Sequence, residues 1–458
     1  MPIRPIDRRD FLRTCAAAGG ATLLGPAASH LLAAASKRER PNILLIMADD
    51  LGYECLGCNG GTSYRTPVLD KLAAGGTRFE HAYCAPLCSP TRLLIMTGRY
   101  GFRSYHGWGV LDPKEKTFGH VLREAGYATC VSGKWQLCTF DKPANADQPT
   151  RAGFDEHCVW VWHYQRKKPS RYWDPWIWQN GKMLDSAKGK YGPDVHCDFL
   201  IDFIRRHKDR PFFAYYPMNL VHAPFVPTPD SRRAAAAGAE EPAGKEGKKA
   251  GKGKRKPKGA GQANYAAMVA YMDKCIGRVV AELDRLHLRE RTLILFTGDN
   301  GTPKGIRSKM GDRTIPGGKG SMTDAGTHVP LLANWPRRVP AGKVTDALVD
   351  FSDVLPTLCE LTRAPLPKGV KIDGRSQLPV LLGRKPKVRD WAYIHHGTAS
   401  AGGKNRAVLD QRWKLYVDGR LFDRKTDPFE KSAVKPDNES PEAAAARKRL
   451  AAALATVK

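Results

Sequence analysis

The chain has 458 residues, 42% of them hydrophobic, with 10 Trp, 15 Tyr and 15 Phe, which excludes disorder along its whole length, a collagen or a disulfide miniprotein and allows one large domain or a large and a small one. Lys and Arg number 74 against 46 Asp and Glu, a formal charge of +28. Residues 1–35 carry a net +2 and the stretch 231–262 a net +7, so the body is near +19, basic enough to steer polyanions with an effect that salt weakens. On charge alone nucleic acid, anionic polysaccharide and phosphorylated or sulfated small molecules all stay open.

At the N-terminus, Asp7-Arg8-Arg9-Asp10-Phe11-Leu12 resembles a twin-arginine export motif. A weakly apolar Ala/Gly-rich stretch from Cys15 to Leu32 and an Ala33-Ala34-Ala35 cleavage candidate follow it. Gly19, Gly20, Gly25 and Pro26 work against a stable membrane anchor, and no later segment reaches the roughly 18 apolar residues of a spanning helix. The expectation is a signal over 1–35 and a soluble mature protein that is exported, periplasmic or secreted.

Short apolar strands then alternate with helical patterns, the sequence form of a mostly parallel sheet covered by helices. The clearest strands are Asn42–Met47, Ala128–Ser132, Phe212–Tyr216 and Leu293–Thr297. Each runs into polar or glycine-containing residues: Asp49-Asp50-Leu51-Gly52, Gly133-Lys134-Trp135-Gln136, Asn219 to His222, and Gly298-Asp299-Asn300-Gly301. The carboxyl ends of strands in open α/β sheets converge on the ligand crevice, so four such ends predict one shared site. Before the last of these strands, Met268, Met272, Ile276, Val279 and Leu283 predict a packing helix from about Tyr265 to Leu286. The Ala/Gly/Lys-rich insert 231–262 cannot bury enough apolar area to offset its ordering entropy and is expected to be a mobile surface loop. A main domain over 36–368 gives way to shorter strand-like pieces at Trp391–His395, Lys414–Val417 and Gly419–Phe422, which predict a small antiparallel subdomain over 369–458. Eleven cysteines make no dense disulfide framework in a chain this long. Cys55-x-x-Cys58 with Cys84-x-x-x-Cys88 permits a zinc reading, but the residues after Cys88 point elsewhere.

Cys88-Ser89-Pro90-Thr91-Arg92, followed by Thr97-Gly98-Arg99, resembles the signature of the formylglycine-dependent, arylsulfatase-like sulfatases of the alkaline phosphatase superfamily, in which that cysteine is oxidised to formylglycine. The resemblance runs from Pro41-Asn42-Ile43 to Leu421-Phe422-Asp423. It implies an α/β fold with a mostly parallel, mixed central sheet sandwiched by helices, a small C-terminal antiparallel subdomain, and hydrolysis of a sulfate ester to alcohol and sulfate. Asp49, Asp50, Asp299 and Asn300 match the family's oxygen ligands for one divalent cation, usually calcium with magnesium as the alternative, and residue 88 belongs to the same site. An all-oxygen set suits such a hard ion. Lys134, His222 of His222-Ala223-Pro224 and Lys319 of Gly317-Gly318-Lys319-Gly320 match the family's lysine, histidine and late lysine, groups that neutralise a sulfate ester and the charge growing on it. Two positions depart from the pattern. Gln136 stands where Gly-Lys-Trp is usually followed by histidine, and glutamine does not titrate near neutral pH; His328 precedes Val329-Pro330 where arginine is common and is read as structural.

The resemblance further implies that hydrated formylglycine is held by Arg92 and Lys134 while the cation acidifies one hydroxyl, which attacks sulfur. His222 or a neighbour protonates the leaving alcohol, and loss of the second diol proton expels sulfate and restores the aldehyde. A formylglycine-generating enzyme or maturase is the implied partner, acting before export if the chain must be extended. Two alternatives stand beside this reading: a phosphodiesterase or phosphonate monoester hydrolase of the same superfamily, and a non-catalytic polyanion-binding homologue, which the basic charge and Gln136 would suit. The segments Tyr105-His106-Gly107-Trp108 and Val159-Trp160-Val161-Trp162, with Trp173, Trp176 and Trp178, fit either a sugar-stacking rim or buried core. Basic charge and export favour sulfated polysaccharide fragments over small aryl sulfates, with no nucleic acid partner.

Overall fold

The computed structural model describes residues 40–140, 145–165, 167, 169–184, 187–237, 260–398 and 405–457. The expected signal over 1–35 and residues 238–259 of the basic insert lie outside them. Twelve strands precede the C-terminal region: β1 (Asn42–Ala48), β2 (Thr77–Tyr83), β3 (Ala128–Lys134), β4 (Glu156–Trp160), β5 (Ile177–Gln179), β6 (Lys182–Met183), β7 (Phe212–Pro217), β8 (Thr292–Gly298), β9 (Arg307–Met310), β10 (Arg313–Pro316), β11 (Leu331–Asn334) and β12 (Lys343–Asp350). All but the β9–β10 hairpin join one sheet in the order β12-β2-β11-β8-β1-β7-β3-β4-β5-β6. Strand β1 pairs in parallel with β7 and β8, and β3 pairs in parallel with β7 and β4. Antiparallel β11 joins β8 to β2, with β12 parallel to β2, and β5 and β6 close the other edge antiparallel. The sheet is thus mixed and mostly parallel, as expected.

Side-chain alternation divides β1 between two apolar layers. Ile43, Leu45 and Met47 enter one, and Leu44, Ile46 and Ala48 the other. A strand buried on both faces has to be apolar along its length, which is why β1 reads as a continuous apolar run. Helices Cys88–Thr97, Phe118–Glu124 and Val354–Thr362 cover the first face; Pro67–Ala74, Gly192–Arg206 and Ala260–Arg285 cover the second. Helix Ala260–Arg285 buries Met268, Met272, Ile276, Val279 and Leu283 along one stripe, at the spacing the sequence displays.

At the C-terminus, β13 (Ala392–His395), β14 (Arg406–Leu409), β15 (Trp413–Tyr416) and β16 (Leu421–Asp423) form a separate antiparallel sheet in chain order. Helix Pro441–Thr456 buries Ala443, Ala446, Leu450 and Ala453. Neither β14 nor this helix is anticipated from the sequence: the strand has four residues, and the helix buries mainly alanine. Its start does carry a readable signal, since Ser440 accepts a bond from the Ala443 N–H and Pro441 follows the cap.

The end of β3 shows how tightly the sheet constrains the residues that follow. Gly133 has φ +127°, and a Cβ there would lie 2.0 Å from the Pro217 carbonyl oxygen. Gly133→Ala is therefore expected to cost about 1–3 kcal/mol through overpacking and strain. Circular-dichroism melting of the purified variant checks this, and an unchanged midpoint would refute it.

Candidate active site

Four strand ends and one helix start converge on a buried cluster. Strand β1 stops at Ala48, and Asp50 takes φ 62°, a left-handed conformation that Asp tolerates better than most residues. The two loops are stitched to the sheet and to each other: the Asp49 N–H donates to Leu220 O at 2.8 Å, the Asp299 N–H to Ala48 O at 2.9 Å, and the Asp50 N–H to Asp299 Oδ1 at 3.0 Å. Behind them, Tyr265 donates to the Asp50 carbonyl at 3.0 Å, while Thr302 Oγ1 accepts from the Gly52 N–H at 3.2 Å and donates to Glu54 at 2.5 Å.

Cys88 opens the Cys88–Thr97 helix with Pro90 in the first turn, where no intrahelical N–H is lost. The spacing Cys-x-x-x-Arg puts Arg92 one turn on, on the same face. Gly98, at φ 66°, closes the helix by donating to Leu94 O. Arg92 is buried and donates to Asp299 Oδ2 at 2.7 Å and to the Lys134 carbonyl at 3.0 Å. Lys134, the last residue of β3, lies 2.9 and 2.7 Å from the two Asp49 oxygens. Lys319 Nζ is 2.5 Å from Asp50 Oδ1 and 3.5 Å from Cys88 Sγ, which itself lies 4.0 Å from Asp50 Oδ1. Asn300 Nδ2 donates to Asp50 Oδ1 at 2.8 Å. His222 Nε2 faces Asp50 Oδ2 at 3.7 Å.

The geometry thus assembles Asp49, Asp50, Cys88, Arg92, Lys134, His222, Asp299, Asn300 and Lys319. Gln136 stands apart: it is buried at φ 51°, its Oε1 has no partner, and no hydrogen bond among the described residues joins it to the carboxylates. His328 sits elsewhere, stacked between Tyr53 and Tyr83 and bonded to Glu80 O at 2.7 Å. The four cysteines of the zinc reading are free thiols; Cys84 bonds to Thr327 O, and Cys55 lies 3.3 Å from Thr302 Oγ1. The aromatic segments are largely anchored in structure: Trp162 donates to Cys138 O at 2.7 Å, Trp173 to Pro227 O at 2.9 Å and Trp178 to Ala146 O at 2.7 Å, while Trp108 is exposed.

One site residue has no sequence signal. Arg171, in the β4–β5 connection, reaches Asp49 Oδ2 at 3.3 Å. No motif flanks it, and only the folded connection brings it to the cluster.

Burial sets the electrostatics. It would raise all three carboxyls. For Asp49 the attraction of Lys134, and after it Arg92 and Lys319, wins and holds the group well below the ordinary range. For Asp50, burial and the charge of Asp49 prevail and raise it; for Asp299 the same two causes push it up to about 6. Burial lifts the Cys88 thiol to about 12 and depresses His222 to about 2, with the nearby cations Lys134, Arg171 and Lys319 adding to the latter. His222 is therefore neutral, and because Nδ1 faces the Ala223 carbonyl at 2.5 Å that nitrogen carries the proton, leaving Nε2 as an acceptor. A divalent cation fits here. The donors are oxygens, and Asn300 Oδ1 is buried without a partner. Asp49, Asp50, Cys88 and His222 offer ligand atoms within 4.8 Å of one another.

The Sulfatase family model matches residues 41–364, and the N-sulphoglucosamine sulphohydrolase, C-terminal model matches 318–457. Arylsulfatase A of Homo sapiens is 32% identical over 396 residues, covering 78% of this chain and 70% of that protein. N-acetylgalactosamine-6-sulfatase of Canis lupus familiaris is 30% identical over 421 residues, covering 84% and 74%. The crystal structure of Ps i-CgsB in complex with k-i-k-neocarrahexaose is similar with a TM-score of 0.71 at 26% identity, over 91% of this chain and 92% of that one.

A cation that binds only the folded carboxylate cluster stabilises the protein by mass action, by about 2.7 kcal/mol at a hundred times its Kd. Chelator-treated protein is expected to melt several degrees higher after calcium is added, and the Asp50→Asn/Asp299→Asn variant to lose that response. Melting curves indifferent to both calcium and magnesium would contradict the site.

Proposed function

The chain belongs to the sulfatase family and is a sulfuric ester hydrolase, and from that premise we propose that it cleaves the sulfate ester of a sulfated sugar, using a formylglycine made from Cys88 and a divalent cation, preferably calcium. The observation that carries the reading is the placing of Cys88 Sγ 3.5 Å from Lys319 Nζ and 4.0 Å from Asp50 Oδ1, among buried carboxylate and amide groups. Asp49, Asp50, Asp299 and Asn300 would hold the cation. With both groups in place, they supply a hydroxyl nucleophile that ionises near neutral pH and can release sulfate by carbon–oxygen cleavage. The unmodified thiol is a poor substitute, because burial keeps it protonated.

Arg92 fixes Asp299 and braces the backbone of Lys134. Lys319 lies beside residue 88 and Lys134 against Asp49, where their ammonium groups can offset negative charge growing on the sulfuryl oxygens. His222 must gain a proton on Nε2 before it can give one to the leaving alcohol, and the negative charge of a bound substrate raises its proton affinity. Gln136 cannot take over proton transfer, so removal of protons at residue 88 falls to other groups.

A relative named for N-acetylgalactosamine-6-sulfate and a solved neighbour holding k-i-k-neocarrahexaose favour a sugar substrate, in keeping with the basic body of the chain. Among the described residues no helix is long and apolar enough to cross a membrane. The twin-arginine-like segment supports export, with Cys88 oxidised beforehand by a formylglycine-generating enzyme or maturase; recovery of unmodified protein inside the cell and modified protein outside would refute that order. Screening a panel of sulfated glycans against aryl sulfate and phosphate esters tests the substrate class. Cys88→Ala is expected to lower turnover by at least about 10³-fold. Peptide mass spectrometry of fully active protein that shows an intact thiol at 88 would sink the mechanism.

A further inference from the structure

Arg171 is built into the site more firmly than an accessory surface arginine. Both of its neighbours are pinned. Ser170 O accepts a 3.0 Å bond from Trp160 Nε1, and the Tyr172 hydroxyl lies 2.8 Å from Asn219 O and 2.5 Å from His222 O, its one proton shared between the two carbonyls. The guanidinium carbon lies 4.4 Å over the Trp160 ring, a stacking contact that sets the plane of the fork. Its single ion pair is the 3.3 Å contact with Asp49 Oδ2, and the rest of the fork has no hydrogen-bond partner among the described residues.

Arg171 is the third cation at Asp49. Lys134 Nζ already sits against both of its oxygens, and Arg92 Nη2 lies 4.0 Å from one of them. Across the cluster Lys134, Arg92, Lys319 and Arg171 face Asp49, Asp50 and Asp299, so positive charge is in surplus before a divalent ion adds to it. A largely buried cation without a matching anion carries a desolvation cost of several kcal/mol, which an anionic ligand would offset. Arg171 also keeps some exposure: its side chain is 10% exposed, with Lys319 at 18% and His222 at 23%, while Asp49, Asp50 and Arg92 are sealed off.

We infer that Arg171 is a substrate-binding residue whose free N–H groups hold non-bridging oxygens of the sulfuryl group being transferred. A planar fork suits two oxygens of a tetrahedral oxyanion. The ester carries one negative charge and inorganic sulfate two, so the contact strengthens along the reaction and serves the transition state more than the ground state. The inference rests on the sulfate-ester reading above.

The test uses cation-loaded wild-type, Arg171→Ala and Arg171→Lys proteins with equal modification at residue 88, titrated calorimetrically with sodium sulfate and assayed on the best ester from the glycan panel. Arg171→Ala should weaken sulfate binding and lower kcat/KM by roughly 100-fold, with most of the loss in kcat. Arg171→Lys should recover only part, and calcium affinity should not fall. Sulfate affinity and kcat/KM within about 2-fold of wild type in Arg171→Ala, or a fall in calcium affinity that matches the fall in kcat/KM, would make Arg171 a support of Asp49 and overturn the inference. Full recovery by lysine would overturn the role of the fork. Wild-type protein that binds sulfate but turns over no sulfate ester would instead overturn the sulfate-ester reading, and the calorimetric comparison alone would then decide the role of Arg171.

Discussion

Three carboxylates forced together at the ends of β1 and β8 are the constraint that the rest of the site answers. Each is buried, and a lone ionised carboxylate in such surroundings costs several kcal/mol. Their answers come from separate elements: Lys134 from β3 and Arg171 from the β4–β5 connection meet Asp49, Arg92 from the helix meets Asp299, and Lys319 from a loop meets Asp50. Even so, Asp50 and Asp299 hold their protons more tightly than free carboxylates, because burial and the neighbouring Asp49 charge outweigh the cations. An added divalent ion would displace that proton affinity and tie the two loops into one unit, which makes metal binding and local folding the same process at this point of the structure.

Precision at the cluster comes from the sheet. Strands β1 and β8 are adjacent and in register, with Ala48 opposite Gly298, so the pairs Asp49-Asp50 and Asp299-Asn300 emerge side by side. The Asp50 N–H to Asp299 bond then fixes one pair against the other, and the Glu54–Thr302–Gly52 bonds repeat the tie one layer back. Gly52 has no room for a side chain here: a Cβ would fall 2.4 Å from the Glu54 carboxylate. The geometry of the carboxylates is thus continuous with backbone pairing, whereas Lys319, His222 and Arg171 arrive on connections farther from the paired strands.

What could be read from sequence follows the same division. The apolar runs of β1, β3, β7 and β8 announce themselves because a strand covered on both faces cannot be polar, and their ends carry Asp49, Asp50, Lys134, Asp299 and Asn300 at positions that chain order alone fixes. Cys88 and Arg92 are likewise legible, since one helical turn converts sequence spacing into distance. Arg171 was not, because its arrival depends on Trp160, Tyr172 and the His222 loop meeting in three dimensions. Strand β14 and the last helix were missed for a different reason: one is short, and the other buries alanines whose small apolar area leaves a weak periodic signal.

Gln136 and His222 together give the site its particular character. With glutamine at 136, held in a left-handed turn and unconnected to the carboxylates, the imidazole of His222 is the titratable ring within this cluster. That ring is kept neutral by burial and by the cations around it, and its Nδ1 proton is committed to the Ala223 carbonyl. The remaining positive groups around it are Arg92, Lys134, Arg171 and Lys319. A cluster of this kind would stabilise developing anionic charge at a nearly constant field, so the chemistry proposed at residue 88 would depend on charge held in place more than on a base that cycles.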